Sequence, residues 1–208
     1  MWYSDISMVL KRMVRFMAAV AAGVVLAACA APRPVPTDKS ADLDPRALRP
    51  GLAVLYFHKR FRHISEMPQG KWAEKLGRPG QPILQLNHRF GKGEVFDSGV
   101  SIKIGVRLTG FIHLAEAGSY VFTVNSNDGT EVSIDSRVIV SDPDVHSDRF
   151  SAPGVFEARA AGWYPIEVYY FQNKGTATLE LYWKPPQVEA FAIVPADAFA
   201  HLPEANTG

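Results

Sequence analysis

The chain is 208 residues long, with 22 Lys and Arg against 21 Asp and Glu and a formal net charge of +1. With that balance and no basic patch standing out, it lacks the surface that displaces counterions from a phosphate backbone, so no nucleic-acid partner is expected. Its single cysteine, Cys29, excludes an internal disulfide.

In chain order, the first element is an address. Lys11, Arg12 and Arg15 precede an apolar run from Phe16 to Leu26, which ends in Leu26-Ala27-Ala28-Cys29. A basic flank, a short apolar run and small residues, in that order, describe a secretory signal peptide over 1–28. The run is shorter than the roughly 18 to 20 residues a spanning helix needs, so cleavage is expected rather than a permanent transmembrane anchor. Leu-Ala-Ala-Cys resembles the bacterial lipobox, which implies a lipid on Cys29 and a membrane partner through it. The alternative is an ordinary signal whose cleavage site lies beside a cysteine. Lipidation is the reading that uses the position of Cys29, and more than one acyl chain is what stable anchoring needs. Met8 or Met13 would give a more usual short leader. Cleavage would remove Lys11, Arg12, Arg15 and Asp5, leaving 19 basic against 20 acidic residues. Ala30 stands where many enterobacterial lipoproteins carry the aspartate of inner-membrane retention. The resemblance therefore implies a cell-envelope lipoprotein of the outer membrane, periplasmic or surface-facing.

Residues 29–49 hold Pro32, Pro34, Pro36 and Pro45 with few large apolar groups and read as a disordered Pro/Ala-rich tether. Residues 50–202 are enough for one domain with its own core, and 203–208 form a tail. Within the domain, Val100, Ile102, Ile104, Val106 and Leu108 alternate with Ser101, Lys103, Gly105 and Arg107, the period of a strand with one buried face. The pattern returns in Tyr120, Phe122 and Val124, in Val132 and Ile134, in Ile166, Val168 and Tyr170, and in Leu179, Leu181 and Trp183. By the same alternation Tyr169 and Tyr170 fall on opposite faces, so at most one of them is expected in the core. Turn residues separate these runs, among them Asn127-Asp128-Gly129, Asp135-Ser136 and Asn173-Lys174-Gly175. Short strands at this spacing predict an all-β antiparallel sandwich or barrel. Residues 71–76 are expected to form one short turn of helix.

Three ordered stretches carry a resemblance. They are Ala117-Gly118-Ser119-Tyr120-Val121-Phe122 through Asn127-Asp128-Gly129 to Ile134-Asp135, then Ala161-Gly162-Trp163-Tyr164-Pro165-Ile166, then Thr178-Leu179-Glu180-Leu181-Tyr182-Trp183. In order and spacing they resemble the signatures of the protective-antigen fourteen-kilodalton (PA14) domain family, and Gly51-Leu52 through Tyr56-Phe57 is similar to its opening strand. The resemblance spans roughly residues 50 to 202. It implies an antiparallel β-sandwich or barrel and a noncatalytic module of the kind found in adhesins, toxins and glycosidases.

In sugar-binding members, two consecutive aspartates joined by a cis peptide hold calcium with an asparagine from a second loop, and sugar hydroxyls take the open positions. Carried over, the aspartate pair falls on Asn127 and Asp128 and the loop asparagine on Asn173. The resemblance thus implies carbohydrate as partner and calcium as cofactor, with Asn127, Asp128 and Asn173 as metal ligands and Asp128 and Asn173 as ligand-binding residues. Asn127 departs from the pattern by removing one negative charge, on which calcium affinity depends. The same tripeptide Asn127-Asp128-Gly129 also reads as a plain turn with positive φ at Gly129, and Asn173-Lys174-Gly175 as a plain hairpin.

Trp163, Tyr164, Tyr169, Tyr170, Tyr182 and Trp183 offer rings for sugar stacking, though such rings more often fill a core. The six histidines lack zinc spacing, no serine sits in a nucleophile elbow, and no glycine-rich loop opens a helix. An enzyme is therefore not expected. The function expected is recognition of carbohydrate by a membrane-anchored lipoprotein, with a structural or assembly lipoprotein that binds a protein partner as the alternative.

Overall fold

The structure, a computed structural model, describes residues 43–203. Cys29, the signal segment 1–28, most of the expected tether and the end of the tail lie outside the described residues. In chain order the strands are β1 (Arg49–Pro50), β2 (Ala53–Phe57), β3 (Arg78–Pro79), β4 (Asn87–Gly91), β5 (Ile104–Leu114), β6 (Gly118–Asn127), β7 (Thr130–Ile134), β8 (Arg137–Asp142), β9 (Arg149–Phe150), β10 (Gly154–Ala158), β11 (Gly162–Gln172), β12 (Ala177–Lys184), β13 (Ala192–Ile193) and β14 (Phe199–His201). One short helix, α1 (Gly70–Leu76), covers the stretch expected to turn once.

The strands form two antiparallel sheets without closure, so the architecture is a sandwich and not a barrel. In the larger sheet β5, β11, β7 and β8 lie in that order, and β2 and β14 share the free edge of β5. In the smaller sheet β6 and β12 pair from Thr178↔Asn127 to Lys184↔Val121. Strands β9 and β10 continue along the outer edge of β6, and β4 and β13 along that of β12.

The period-two residues form the core between the sheets. Tyr120, Phe122, Val124, Val132, Ile134, Val168, Leu179 and Leu181 are all buried, each large side chain contributing about 1.5 to 3 kcal/mol relative to exposure. Asp135 and Ser136 both have positive φ, as a two-residue hairpin between β7 and β8 requires.

Three expectations need correction. The alternating run does not begin at Val100: Lys103 has φ +56 and its N–H reaches the Asn173 carbonyl, so the backbone leaves the ladder, Ile102 is exposed, and β5 starts at Ile104. Nor is only one of the tyrosines in a core. Tyr170 lies in the main core, while Tyr169 lies in a second cluster with Phe57, Phe61, Ile64, Met67, Ala73 and Phe171. The segment from β2 to α1 folds over the outer face of β11 and buries it. Finally, Asn173-Lys174-Gly175 does not close a hairpin, because β11 and β12 belong to different sheets.

A candidate binding site where the chain crosses between the sheets

Strand β6 ends in the smaller sheet at Asn127 and β7 begins in the larger one at Thr130. Strand β11 ends in the larger sheet at Gln172 and β12 begins in the smaller at Ala177. The chain thus crosses between sheets twice, and the two crossings meet at one edge of the sandwich. This brings Asn127, Asp128 and Asn173 into one hydrogen-bonded group.

Asp128 is buried at the centre, and its peptide bond to Asn127 is cis. Its Oδ2 accepts the Asn173 N–H at 2.8 Å and its Oδ1 accepts the His146 N–H at 3.2 Å. One carboxylate therefore ties three loops together through main-chain donors. Burial pushes the Asp128 carboxyl above the usual carboxylate range, although the Asn173 and His146 N–H groups pull it down. Its own N–H donates to the Phe171 carbonyl at 3.2 Å, and the Phe171 N–H donates to the Gly129 carbonyl at 3.0 Å.

Gly129 is not there for positive φ, contrary to the turn reading. A Cβ at this position would sit 2.7 Å from the Pro143 carbonyl oxygen and 2.9 Å from that of Asp144. The crossing needs glycine because two backbones approach closely.

Asn127 contributes differently from the aspartate that the resemblance implies at this position. Its Nδ2 donates to Asp148 Oδ2 and to Thr176 Oγ1, both at 3.3 Å, and its carbonyl accepts the buried Tyr170 hydroxyl at 2.6 Å. Asn173 is buried too, and its Oδ1 accepts the Arg60 Nε–H at 2.9 Å. Its carbonyl accepts the Lys103 N–H at 3.3 Å. Arg60 is the residue at this site that the sequence does not announce: it lies 113 residues from its partner, on the exposed stretch between β2 and the second cluster.

The aromatic residues separate by role. Tyr164, Tyr169 and Tyr170 are buried, and Trp183 packs against the core. Tyr182 alone among those six helps to line a groove of about 400 Å³ on the outer face of the smaller sheet, with Thr123, Phe150, Ser151, Pro153 and Phe191. The Phe150 and Tyr182 rings meet edge to face at 5.4 Å. Beside the groove, Glu180 is buried and takes a two-pronged bond from Arg89 at 2.7 and 3.1 Å and an amide bond from Asn125 at 2.8 Å.

Residues 89–197 match the family model of the PA14 domain. The chain belongs to the PA14 domain family. Similar solved structures include the PA14 domain of the MpAFP antifreeze protein, at 17% identity and a TM-score of 0.59 over 79% of this chain and 98% of that one. The epithelial adhesin 9 A domain from Candida glabrata, solved in complex with Galb1-4GlcNAc, is similar at 9% identity and a TM-score of 0.58 over 79% and 95%. An anti-sigma factor domain-containing protein from Clostridium clariflavum matches at 20% identity and 0.59 over 77% of this chain and 50% of its own, so this chain spans about half the length of that relative. Comparison with curated proteins found no match. At these identities the likeness establishes the PA14 fold.

The residues present fit a calcium ion poorly. Calcium takes six to eight hard oxygen ligands and binds more tightly as their negative charge rises. Here the three family positions offer one carboxylate, Asp128, whose two oxygens already accept main-chain N–H groups. The Asn127 amide points its nitrogen at Asp148, and the Asn173 oxygen already faces a guanidinium.

Proposed function

We propose that this PA14 domain is a noncatalytic carbohydrate-binding module whose ligand site is the edge where the two crossings meet, with Asp128 and Asn173 at its centre. The observation that carries the reading is the bonded group itself. Asp128 is placed by the fold rather than by a local turn, and it fixes the neighbouring loops so that Asn173 and Arg60 are held in register. Support comes from similar structures, an epithelial adhesin domain in complex with Galb1-4GlcNAc and a PA14 sugar-binding domain from an RTX adhesin. A glycan array probed with the full chain tests it. Binding to at least one glycan is expected, with loss in Asn173→Ala under conditions where that variant is still folded; no binding to any glycan would reject the reading.

We further propose that the module works at the cell envelope, held at the outer membrane by a lipid on Cys29. The support is the order of basic flank, apolar run and Leu-Ala-Ala-Cys. Expressed in a bacterial host, the wild-type chain is expected in the membrane fraction and labelled by a radioactive fatty acid, and Cys29→Ser is expected in neither state. Equal fractionation of the two proteins would exclude the anchor.

A second reading, a lipoprotein that holds a protein partner, is favoured by one feature, the outer-face groove. Phe150 is 57% exposed and Phe191 44%, more ring surface than solubility alone calls for. The anti-sigma factor neighbours give this reading some weight as well. It predicts that Phe150→Ser abolishes recovery of a partner from solubilised membranes and leaves glycan binding intact.

A further inference from the structure

We propose that the Arg60 guanidinium stands where the family resemblance puts calcium, and that the saccharide bound at the site is acidic, its carboxylate or sulfate paired with Arg60 without a metal ion. This rests on the carbohydrate reading of the site for its ligand, but its statement about calcium does not.

The charge count comes first. Of the three positions only Asp128 carries a formal charge, with Asp148 beside Asn127 as a second carboxylate nearby, and a positive guanidinium already lies 2.9 Å from the Asn173 oxygen. A divalent ion bound to that oxygen would share it with a like charge, and repulsion at such a distance is strong at a partly buried site. Arg60 and a calcium ion at Asn173 Oδ1 are therefore alternatives.

Arg60 also has donors to spare. Its Nε–H is used by Asn173, while among the described residues its two Nη groups make no hydrogen bond and the residue is exposed. A planar fork with free Nη groups matches a carboxylate or sulfate in two-pronged fashion. Arg60 also sits on an anchored stretch of backbone. Its neighbours on either side in sequence include Phe57 and Phe61, both buried in the second cluster under the β2 to α1 segment.

Two lysines lie on the chain segments next to Asn173. Lys103 is bonded to the Asn173 carbonyl through its N–H, Lys174 follows Asn173 directly, and both are exposed. On the far side Asp142 is paired with Arg149, while Asp148 accepts from the neutral Asn127 amide and keeps its charge. Asp144 bridges to His63 through the backbone and is exposed.

Two measurements on the full chain test this. In the first, calcium chloride is titrated calorimetrically and by thermal melting into wild-type protein and Arg60→Gln. No heat and no shift are expected for the wild type, and micromolar calcium binding, or a wild-type melting temperature that falls in chelator, overturns the proposal. In the second, a glycan array is probed in chelator with both proteins. Binding confined to uronic-acid, sialylated or sulfated glycans is expected, with affinity falling roughly tenfold in Arg60→Gln as a charge-assisted pair is lost. Binding to neutral glycans alone, or binding equal in the two proteins, overturns the acidic ligand. A complete lack of glycan binding rejects the carbohydrate reading, and with it the ligand proposed here, while the calcium titration still decides the metal.

Discussion

Two buried carboxylates lie at different places in this sandwich, and the fold satisfies them in opposite ways. Asp128 is held by main-chain N–H groups from Asn173 and His146, donors that a side-chain substitution at those positions leaves in place unless it introduces proline. Glu180 is held by the side chains of Arg89 and Asn125, donors that a single mutation deletes. Burial raises Asp128 above the ordinary carboxylate range and prevails there over its backbone donors. Burial also acts to raise Glu180, but the Arg89 guanidinium and the Asn125 amide outweigh it and hold Glu180 below that range. The first carboxylate positions loops, and the second completes a charge pair on a sheet face. Both join segments distant in sequence, but only the first does so through the backbone of the loops themselves.

The sharpest way to break this contrast is Asp128→Asn. The amide keeps the shape but can offer its oxygen to only one of the two N–H groups, so a main-chain donor is left facing an NH2. A loss of about 2 to 3 kcal/mol is expected, the cost of leaving a buried donor unmet. Urea unfolding measures it. A loss below about 0.5 kcal/mol, the range of a neutral surface change, would mean that Asp128 ties nothing together.

Much of the fold was legible in the sequence, and the reason is local. Tyr120, Phe122, Val124, Leu179 and Leu181 bury because alternate positions on a strand face the same way, whatever the rest of the chain does. The three ordered motifs named the family, and the family model matches the same region. The failures were all non-local. Tyr169 is buried by Phe57, Phe61 and Met67, which are about a hundred positions earlier, so no period within β11 could show that its outer face has a cover. Ile102 obeys the strand pattern yet is exposed, since the Lys103 N–H is drawn to Asn173 by a contact that alternation does not encode. Gly129 looked like a turn glycine and is instead a close-approach glycine, a distinction that depends on where Pro143 and Asp144 run.

At the candidate site the division is the same. Asn127, Asp128 and Asn173 could be named from motif order, and the fold does bring them together. Arg60 could not, because an arginine after a strand has no spacing signal that points to an asparagine in another loop.

A smaller effect is expected at the second carboxylate. Glu180→Gln keeps one oxygen for Asn125 and loses the charge that Arg89 faces, for a cost of about 1 to 2 kcal/mol near neutral pH. The sign of its pH dependence follows from the shift. Because the folded carboxyl titrates below the ordinary glutamate value of 4.5, its contribution is fully present above that value and is lost as pH falls through the folded value. The gap between wild type and Glu180→Gln should therefore close as pH is lowered from 6 through the carboxylate range. Unfolding curves at a series of pH values decide it, and a gap that widens in acid would show that the charged form of Glu180 is not the favoured one.

The smallest effect, and the most discriminating for the contrast, is expected from Arg89→Gln. The Arg89 side chain is 70% exposed although its partner is buried, so water and salt screen one half of the pair and not the other. Removing the guanidinium leaves Glu180 with Asn125 and with a longer bond from the Tyr182 hydroxyl at 3.4 Å. The variant should melt slightly below wild type at low salt and neutral pH. That difference should shrink in molar sodium chloride and again in acid. The Asp128→Asn deficit, which arises from unmet main-chain donors rather than from a lost charge pair, should not shrink with salt. If both deficits respond to salt alike, the two carboxylates are not held by different means and the contrast fails. If only the Arg89 deficit responds, the main-chain tie at Asp128 is what keeps the two crossings together at any ionic strength.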